Sequence, residues 1–310
     1  MRAMVVLIAL ATLPLAGATK LGQTLNTPDV DPPMSLARAA LERRDWTQAE
    51  LLLRSYLGNS QHSAPALYLL ASTLFHEDKP KESLAMYTRA AQETPPSAPD
   101  LRLVALDYVL LDDYEDADKW ITRSARQNAN DGETWYVMGR IKYTENRFQE
   151  AVDSFLKCLQ DEPHSVRAQN NLALAYEGLN QPEMAMRVYR KALAWQIDDP
   201  HPSEQPALNL GILLSDRNQL DEALTLLLHA EMLAPHDGKT HGALGKLYVR
   251  RKEFQQAEAE FVQAVAAQPN DVGLHFQLGQ VYRRLGKKES ATAELTRAAA
   301  LESSQRATAH

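Results

Sequence analysis

The chain has 310 residues, 45% hydrophobic and 24% charged, with 40 acidic against 33 basic side chains and a formal net charge of −7. That composition suits an ordered chain with an extended apolar core, and the acidic balance argues against general nucleic-acid binding, which needs a basic patch or stripe. Cys158 is the only cysteine, which excludes an intramolecular disulfide and any C-x-x-C redox or haem-attachment motif.

The N-terminus differs in kind from the rest of the chain. Met1 and Arg2 precede the apolar run VVLIALATLPLAG, and Ala16-Gly17-Ala18 ends it. A basic start, a short apolar run and an A-x-A ending predict a signal peptide over residues 1–18, cleaved after Ala18, and therefore an exported, periplasmic or secreted protein. The alternatives are a buried capping helix or a retained membrane anchor, but the run is short for a bilayer span and no later segment reaches the necessary length of about 20 residues. No Cys follows the run, which argues against a lipoprotein anchor. Residues 19–33, with Asn26-Thr27-Pro28-Asp29 and Asp31-Pro32-Pro33, read as a flexible Pro-containing leader.

From there a small residue recurs at Ala49, Ser83, Ala117, Ala151, Ala185, Ala223, Ala257 and Ala291, with gaps of 34, 34, 34, 34, 38, 34 and 34 residues. Other positions keep the same period. Twelve residues earlier stands Gly or Ala (Ala37, Ala71, Ala105, Gly139, Ala173, Gly211, Gly245, Gly279), preceded in each case by an apolar residue. Four residues after the marker stands a large side chain: Leu53, Tyr87, Ile121, Phe155, Tyr189, Leu227, Phe261 or Leu295. Such self-similarity predicts a solenoid, in which each unit buries its apolar face only by stacking on its neighbours.

Within the unit 238–271, Ala243, Leu244, Leu247 and Tyr248 keep helical spacing, Arg250 to Lys252 form a polar turn, and Phe254, Ala257, Phe261, Ala264 and Val265 resume the helical stripe. Each unit is thus a helical hairpin, with the small first-helix residue expected to face the marker of the second helix. Pro95, Pro163, Pro235 and Pro269 fall just past second helices, where proline stops a helix. The expected architecture is all-α, a right-handed solenoid of eight antiparallel helix pairs over residues 34–305, followed by a disordered tail at 306–310. The repeats lie near 30–63, 64–97, 98–131, 132–165, 166–199, 204–237, 238–271 and 272–305. Four extra residues fall within Trp195 to Pro206, where Pro200, Pro202 and Pro206 favour a longer loop over another helical turn. Trp195, Asp198 and Asp199 could there form a protruding contact, or the loop could simply separate repeats 1–5 from 6–8.

Chemistry-bearing motifs are scarce. Cys158 occupies a position held by Ala or Ser in every other repeat except the first, where Tyr56 stands, and reads as a small core residue. His241 and His275 hold the repeat position of Trp135, so packing explains both; no H-x-x-x-H or H-E-x-x-H spacing accompanies them, and no metal site is expected. Asp112, Asp113, Glu115, Asp116 and Asp118 sit at a turn and helix start, where negative charge suits the helix dipole, without the order of a calcium loop. No nucleophile signature is present.

The offsets resemble the tetratricopeptide repeat, W-x2-L-G-x2-Y followed by A-x3-F and P. HGALGKLY (241–248) continues to Ala257, Phe261, Ala264 and Pro269, and HFQLGQVY (275–282) to Ala291, Leu295 and Ala298. WYVMGRIKY (135–143) supplies the tryptophan, but Lys142 replaces the Tyr. The resemblance covers roughly residues 30 to 305 and implies a concave groove, lined by first helices, that receives a peptide or partner helix. It places Tyr68 and Phe75, with Leu106, Val109 and Leu110, on an apolar N-terminal part of that groove, and Tyr136, Arg140, Tyr143, Asn170, Asn171 and Asn209 in the middle. It places Lys239, Lys246, Arg250, Phe276, Arg283 and Arg284 at a basic C-terminal end, suited to an acidic or carboxylate-bearing segment. The carboxylate clamp of chaperone-binding members is incomplete, since Ala243 stands where its Arg would be. The implied function is a non-enzymatic interaction scaffold, without cofactor or metal, in an envelope assembly process. An accessory role in polysaccharide or cytochrome biogenesis is the alternative. Its partner is a protein or peptide rather than nucleic acid, and no integral membrane segment remains after signal cleavage.

Overall fold

The computed structural model describes residues 32–308. The signal peptide expected at 1–18 and nearly all of the leader lie outside them. The described residues form sixteen α-helices and no strand: α1 (Pro32–Glu42), α2 (Trp46–Asn59), α3 (Ala64–His76), α4 (Pro80–Glu93), α5 (Ala98–Leu110), α6 (Tyr114–Gln127), α7 (Gly132–Thr144), α8 (Phe148–Asp161), α9 (Val166–Gly178), α10 (Pro182–Trp195), α11 (Gln205–Asp216), α12 (Leu220–Leu233), α13 (Gly238–Arg251), α14 (Phe254–Ala267), α15 (Val272–Arg284) and α16 (Lys288–Thr308). Two edges differ from expectation. Pro32 and Pro33 open α1 rather than ending a leader, consistent with the tolerance of proline in a helix's first turn. At the other end α16 continues through Thr308, so residues 306–308 are helical rather than part of a disordered tail.

Consecutive helices pack as hairpins, and each hairpin packs on the next. Contacts between like elements run through the odd-numbered helices, where α3, α5, α7, α9, α11 and α13 touch in succession. First helices therefore form a continuous inner layer, with the second helices outside it.

The eight markers are all buried, seven of them completely and Ala291 at 3% exposure. The small first-helix residues are buried with them, but their neighbour is not the one expected. A Cβ at Gly139 would lie 2.6 Å from Cε1 of Phe155, one at Gly245 2.9 Å from the Phe261 ring, and one at Gly211 2.8 Å from Leu227. The glycine thus makes room chiefly for the large side chain one helical turn beyond the marker. The marker's own backbone comes next, with the Ala223 carbonyl oxygen 3.3 Å from that position at Gly211.

The turn inside each hairpin carries a second register. Arg44, Asp78, Asp112, Asn146, Asn180, Asn218, Lys252 and Gly286 all have φ between 56° and 75°, the left-handed region. The residue after each closes a six-to-one backbone bond; Asp45 N–H donates to the Ala40 carbonyl and Lys287 N–H to that of Tyr282, both at 2.9 Å. This is the Schellman arrangement, which satisfies carbonyls left open at a helix end.

The break in the period is a loop. Residues 196–204 join α10 to α11, whereas the other links between hairpins, such as 162–165 and 234–237, have four residues. Gln196 is buried and its side-chain amide pairs with Ser203, donating to the carbonyl at 2.8 Å and accepting from the N–H at 3.1 Å. Trp195 does not protrude: its ring packs edge-on against His164 at 5.2 Å with Lys191 over its face. Asp198 and Asp199 are exposed.

Candidate functional site

The inner layer is built from the odd-numbered helices, and its character changes along the stack. On α3 the half-buried Tyr68 donates its hydroxyl to the Thr94 carbonyl at 2.6 Å and tilts against Tyr87. Phe75 lies edge-on to His76, and Leu106, Val109 and Leu110 on α5 are half-buried.

In the middle, polar side chains join one repeat to the next. Asn171 donates to the Tyr136 hydroxyl at 2.9 Å, and Asn209 donates to Oδ1 of Asn170 at 3.0 Å. Arg167 lies over the Tyr136 ring at 4.3 Å and pairs with Glu133. Tyr136 and Asn170, expected to face a partner, are only 6% and 7% exposed. They are spent on contacts between first helices, which leaves Asn171, Asn209, Arg140 and Tyr143 half-buried at the surface. Tyr143 rests edge-on against Phe148 at 5.4 Å. Lys142, which departs from the repeat pattern, is buried and paired with Asp118, which also accepts from Arg147 at 2.8 Å. Burial opposes ionisation of Asp118, but those two cations prevail and lower its pKa.

At the C-terminal end Lys239, Lys246, Arg250, Arg283 and Arg284 are all exposed, and so, at 48%, is Phe276 on α15, which shares a shallow hollow with Leu295, Ala298 and Glu302 of α16. Arg250 differs from the others. Its guanidinium donates to the Ser215 carbonyl at 2.9 Å and pairs with Asp216, so its charge is largely committed to the preceding repeat. Arg283 reaches Gln280 at 3.4 Å, and neither it nor Lys239, Lys246 or Arg284 forms an ion pair among the described residues.

His241 and His275 are buried, as packing residues should be, yet their rings are fully engaged. Nε2 of His241 donates to the Pro235 carbonyl at 3.0 Å while Nδ1 faces Glu260 at 2.8 Å; His275 repeats this with Pro269 and Glu294. For His241 burial disfavours the charged ring, but the Glu260 and Pro235 contacts outweigh it and raise its pKa. Sequence reading missed the acidic partners because each lies on another helix.

Tetratricopeptide-repeat profiles match residues 34–98 and 243–307, and a second profile of the same repeat matches 132–163 and 166–196. The chain belongs to the tetratricopeptide repeat superfamily. Among its relatives, tetratricopeptide repeat protein 8 of Caenorhabditis elegans is 28% identical over 100 residues, spanning 32% of this chain and 19% of that protein. The aligned part is therefore about a fifth of that relative's length. A tetratricopeptide repeat protein from Parabacteroides merdae superposes with a TM-score of 0.65 at 17% identity, covering 80% of this chain and 97% of that one. Pseudomonas aeruginosa pilF superposes at 0.59 and 16% identity, covering 73% and 99%. At these identities the likeness is one of fold. No helix among the described residues is long and apolar enough to cross a membrane. As a tetratricopeptide solenoid the chain has the build of a protein–protein interaction scaffold, presenting a long surface for a protein or peptide.

Proposed function

We propose that this chain is a non-catalytic scaffold whose inner face binds an acidic, extended segment or partner helix. The observation that carries this reading is the set of exposed cations Lys239, Lys246, Arg283 and Arg284 on α13 and α15, with the exposed Phe276 also on α15, on a protein of net charge −7. Local charge opposite in sign to the whole steers an acidic ligand to one end of the solenoid, and Phe276 offers it an apolar anchor. Half-buried Tyr68 and Phe75 provide further apolar contacts toward the N-terminus. The basic, apolar and A-x-A features of residues 1–18 support export and a role in envelope assembly.

The test is fluorescence anisotropy of labelled acidic peptides with free C-termini, beside basic controls, followed by crosslinking in native envelopes. The Lys239→Glu, Lys246→Glu, Arg283→Glu, Arg284→Glu variant should lose about tenfold or more in affinity, and added salt should weaken the wild type as well. Arg250 is left intact because reversing it would also break the Asp216 contact. Equal binding by variant and wild type at low salt would remove the basic end from the site. An export reporter fused to residues 1–31 tests the compartment separately.

A further inference from the structure

We propose that Glu231, His241 and Glu260 form a divalent-cation site, fitted to Zn²⁺, in the seam between α12, α13 and α14. One ligand atom from each residue lies within 4.8 Å of the others. Nδ1 of His241 is 2.8 Å from Oε2 of Glu260 and 3.7 Å from Oε1 of Glu231. Ligand atoms around a tetrahedral zinc, with bonds of about 2.0–2.1 Å, lie about 3.3 Å apart, so small side-chain movements suffice to admit the ion.

The histidine already presents the required nitrogen. Its Nε2–H is donated to the Pro235 carbonyl at 3.0 Å, so Nδ1 is the atom directed at the two carboxylates, and a bound ion would take the place of the hydrogen between Nδ1 and Glu260. A backbone carbonyl on the far nitrogen is the usual outer support of a metal-binding imidazole.

The next repeat supplies an internal control. His275, Glu294 and Pro269 reproduce the histidine, the near carboxylate and the carbonyl at the same 34-residue offset, but Val265 stands where Glu231 would be. There a single carboxylate, Glu294, faces the ring. In the seam of α12 to α14 two carboxylates face one ring nitrogen, and among the described residues neither Glu231 nor Glu260 pairs with a Lys or Arg. A divalent ion neutralises both. The side chain of Glu231 is 32% exposed against 7% for His241, so an ion and its remaining water ligands can enter from the Glu231 side.

The experiment uses the full chain, free of any tag and stripped with chelator, titrated with Zn²⁺ by calorimetry and followed by thermal unfolding. One equivalent should bind and raise the Tm. Glu231→Val, which gives this repeat the side chain its neighbour carries at Val265, should weaken binding by about 10- to 100-fold. Val265→Glu should add a second equivalent. Absence of saturable binding up to about 0.1 mM Zn²⁺ overturns the proposal, since a site weaker than that lends the folded chain little stability. So does wild-type affinity in Glu231→Val, which would place the ion elsewhere. If Glu231→Val lowers the metal-free Tm, Glu231→Gln serves as the variant and must show the same loss.

Discussion

Ser83 Oγ stands 2.6 Å from Oδ2 of Asp107 in the buried seam between α4 and α5. The same hydroxyl is 3.0 Å from the Ala71 carbonyl oxygen, and one proton cannot serve two acceptors. Both contacts are satisfied if the Asp107 carboxyl carries a proton and donates to Ser83, which in turn donates to Ala71. Burial agrees: it pushes Asp107 from 3.8 to about 7, against the opposing effect of the Ser83 hydrogen bond. With the folded pKa above the unfolded one, the folded chain binds the proton more tightly between about pH 4 and 7, so stability falls as pH rises through that window. Relative to Asp107→Asn, the wild type should lose at most about 4 kcal/mol between pH 4 and 8 in urea denaturation. Parallel pH profiles for the two proteins would refute the buried acid.

Two glycines should respond in opposite senses to the same substitution. At Gly139 a new Cβ meets three atoms of the fully buried Phe155 ring at 2.6–2.8 Å, so Gly139→Ala should cost about 1–3 kcal/mol after the ring shifts. At Gly58, inside α2, nothing lies within 4 Å, and Gly58→Ala should gain up to about 1 kcal/mol from helix propensity. Chemical denaturation of the pair decides; a stabilising Gly139→Ala would contradict the close packing described for that hairpin.

Lys252 holds φ 62° on an exposed turn, a conformation that costs a residue with an ordinary side chain about 1–2 kcal/mol. Three other hairpins place asparagine there, at Asn146, Asn180 and Asn218. Lys252→Asn should therefore raise stability by up to about 1 kcal/mol, measured as a shift of the urea midpoint at constant m-value. An unchanged midpoint would mean that Lys252 carries no backbone strain.

Cys158 is fully buried, and burial pushes its thiol up to about 12. Since the thiolate is the reactive form, the native protein should be inert to Ellman's reagent at pH 8 and react with one equivalent in denaturant. Labelling of the native chain at a comparable rate would overturn the assignment of Cys158 to the core.

The hairpins are legible in the sequence because the residues that define them, from Ala49 to Ala291, act through local spacing and small size. The turn register at Arg44 to Gly286 escapes such a reading although it keeps the same period, because Arg, Asp, Asn, Lys and Gly share a backbone conformation there and no side-chain chemistry. The surface is harder to read. Arg250 looks like a free cation in the sequence because its partner Asp216 is 34 residues away, on the helix of the neighbouring repeat. Tyr136 and Asn170 look open for the same reason, their partners Asn171 and Asn209 belonging to the next first helix. Contacts across the stack depend on how much each hairpin rotates on the last, a quantity that no single period encodes.

The amide of Gln196 closes on Ser203 from both sides, imitating a pair of backbone groups. In doing so it separates the length of the intervening segment from the alignment of the helices it connects. A longer segment between these two residues, where Ile197 is already 77% exposed, should leave the packing of α10 on α11 in place. That buckle makes the segment a natural port for grafting: a guest loop inserted there would be carried on a rigid frame, near the midpoint of the stack.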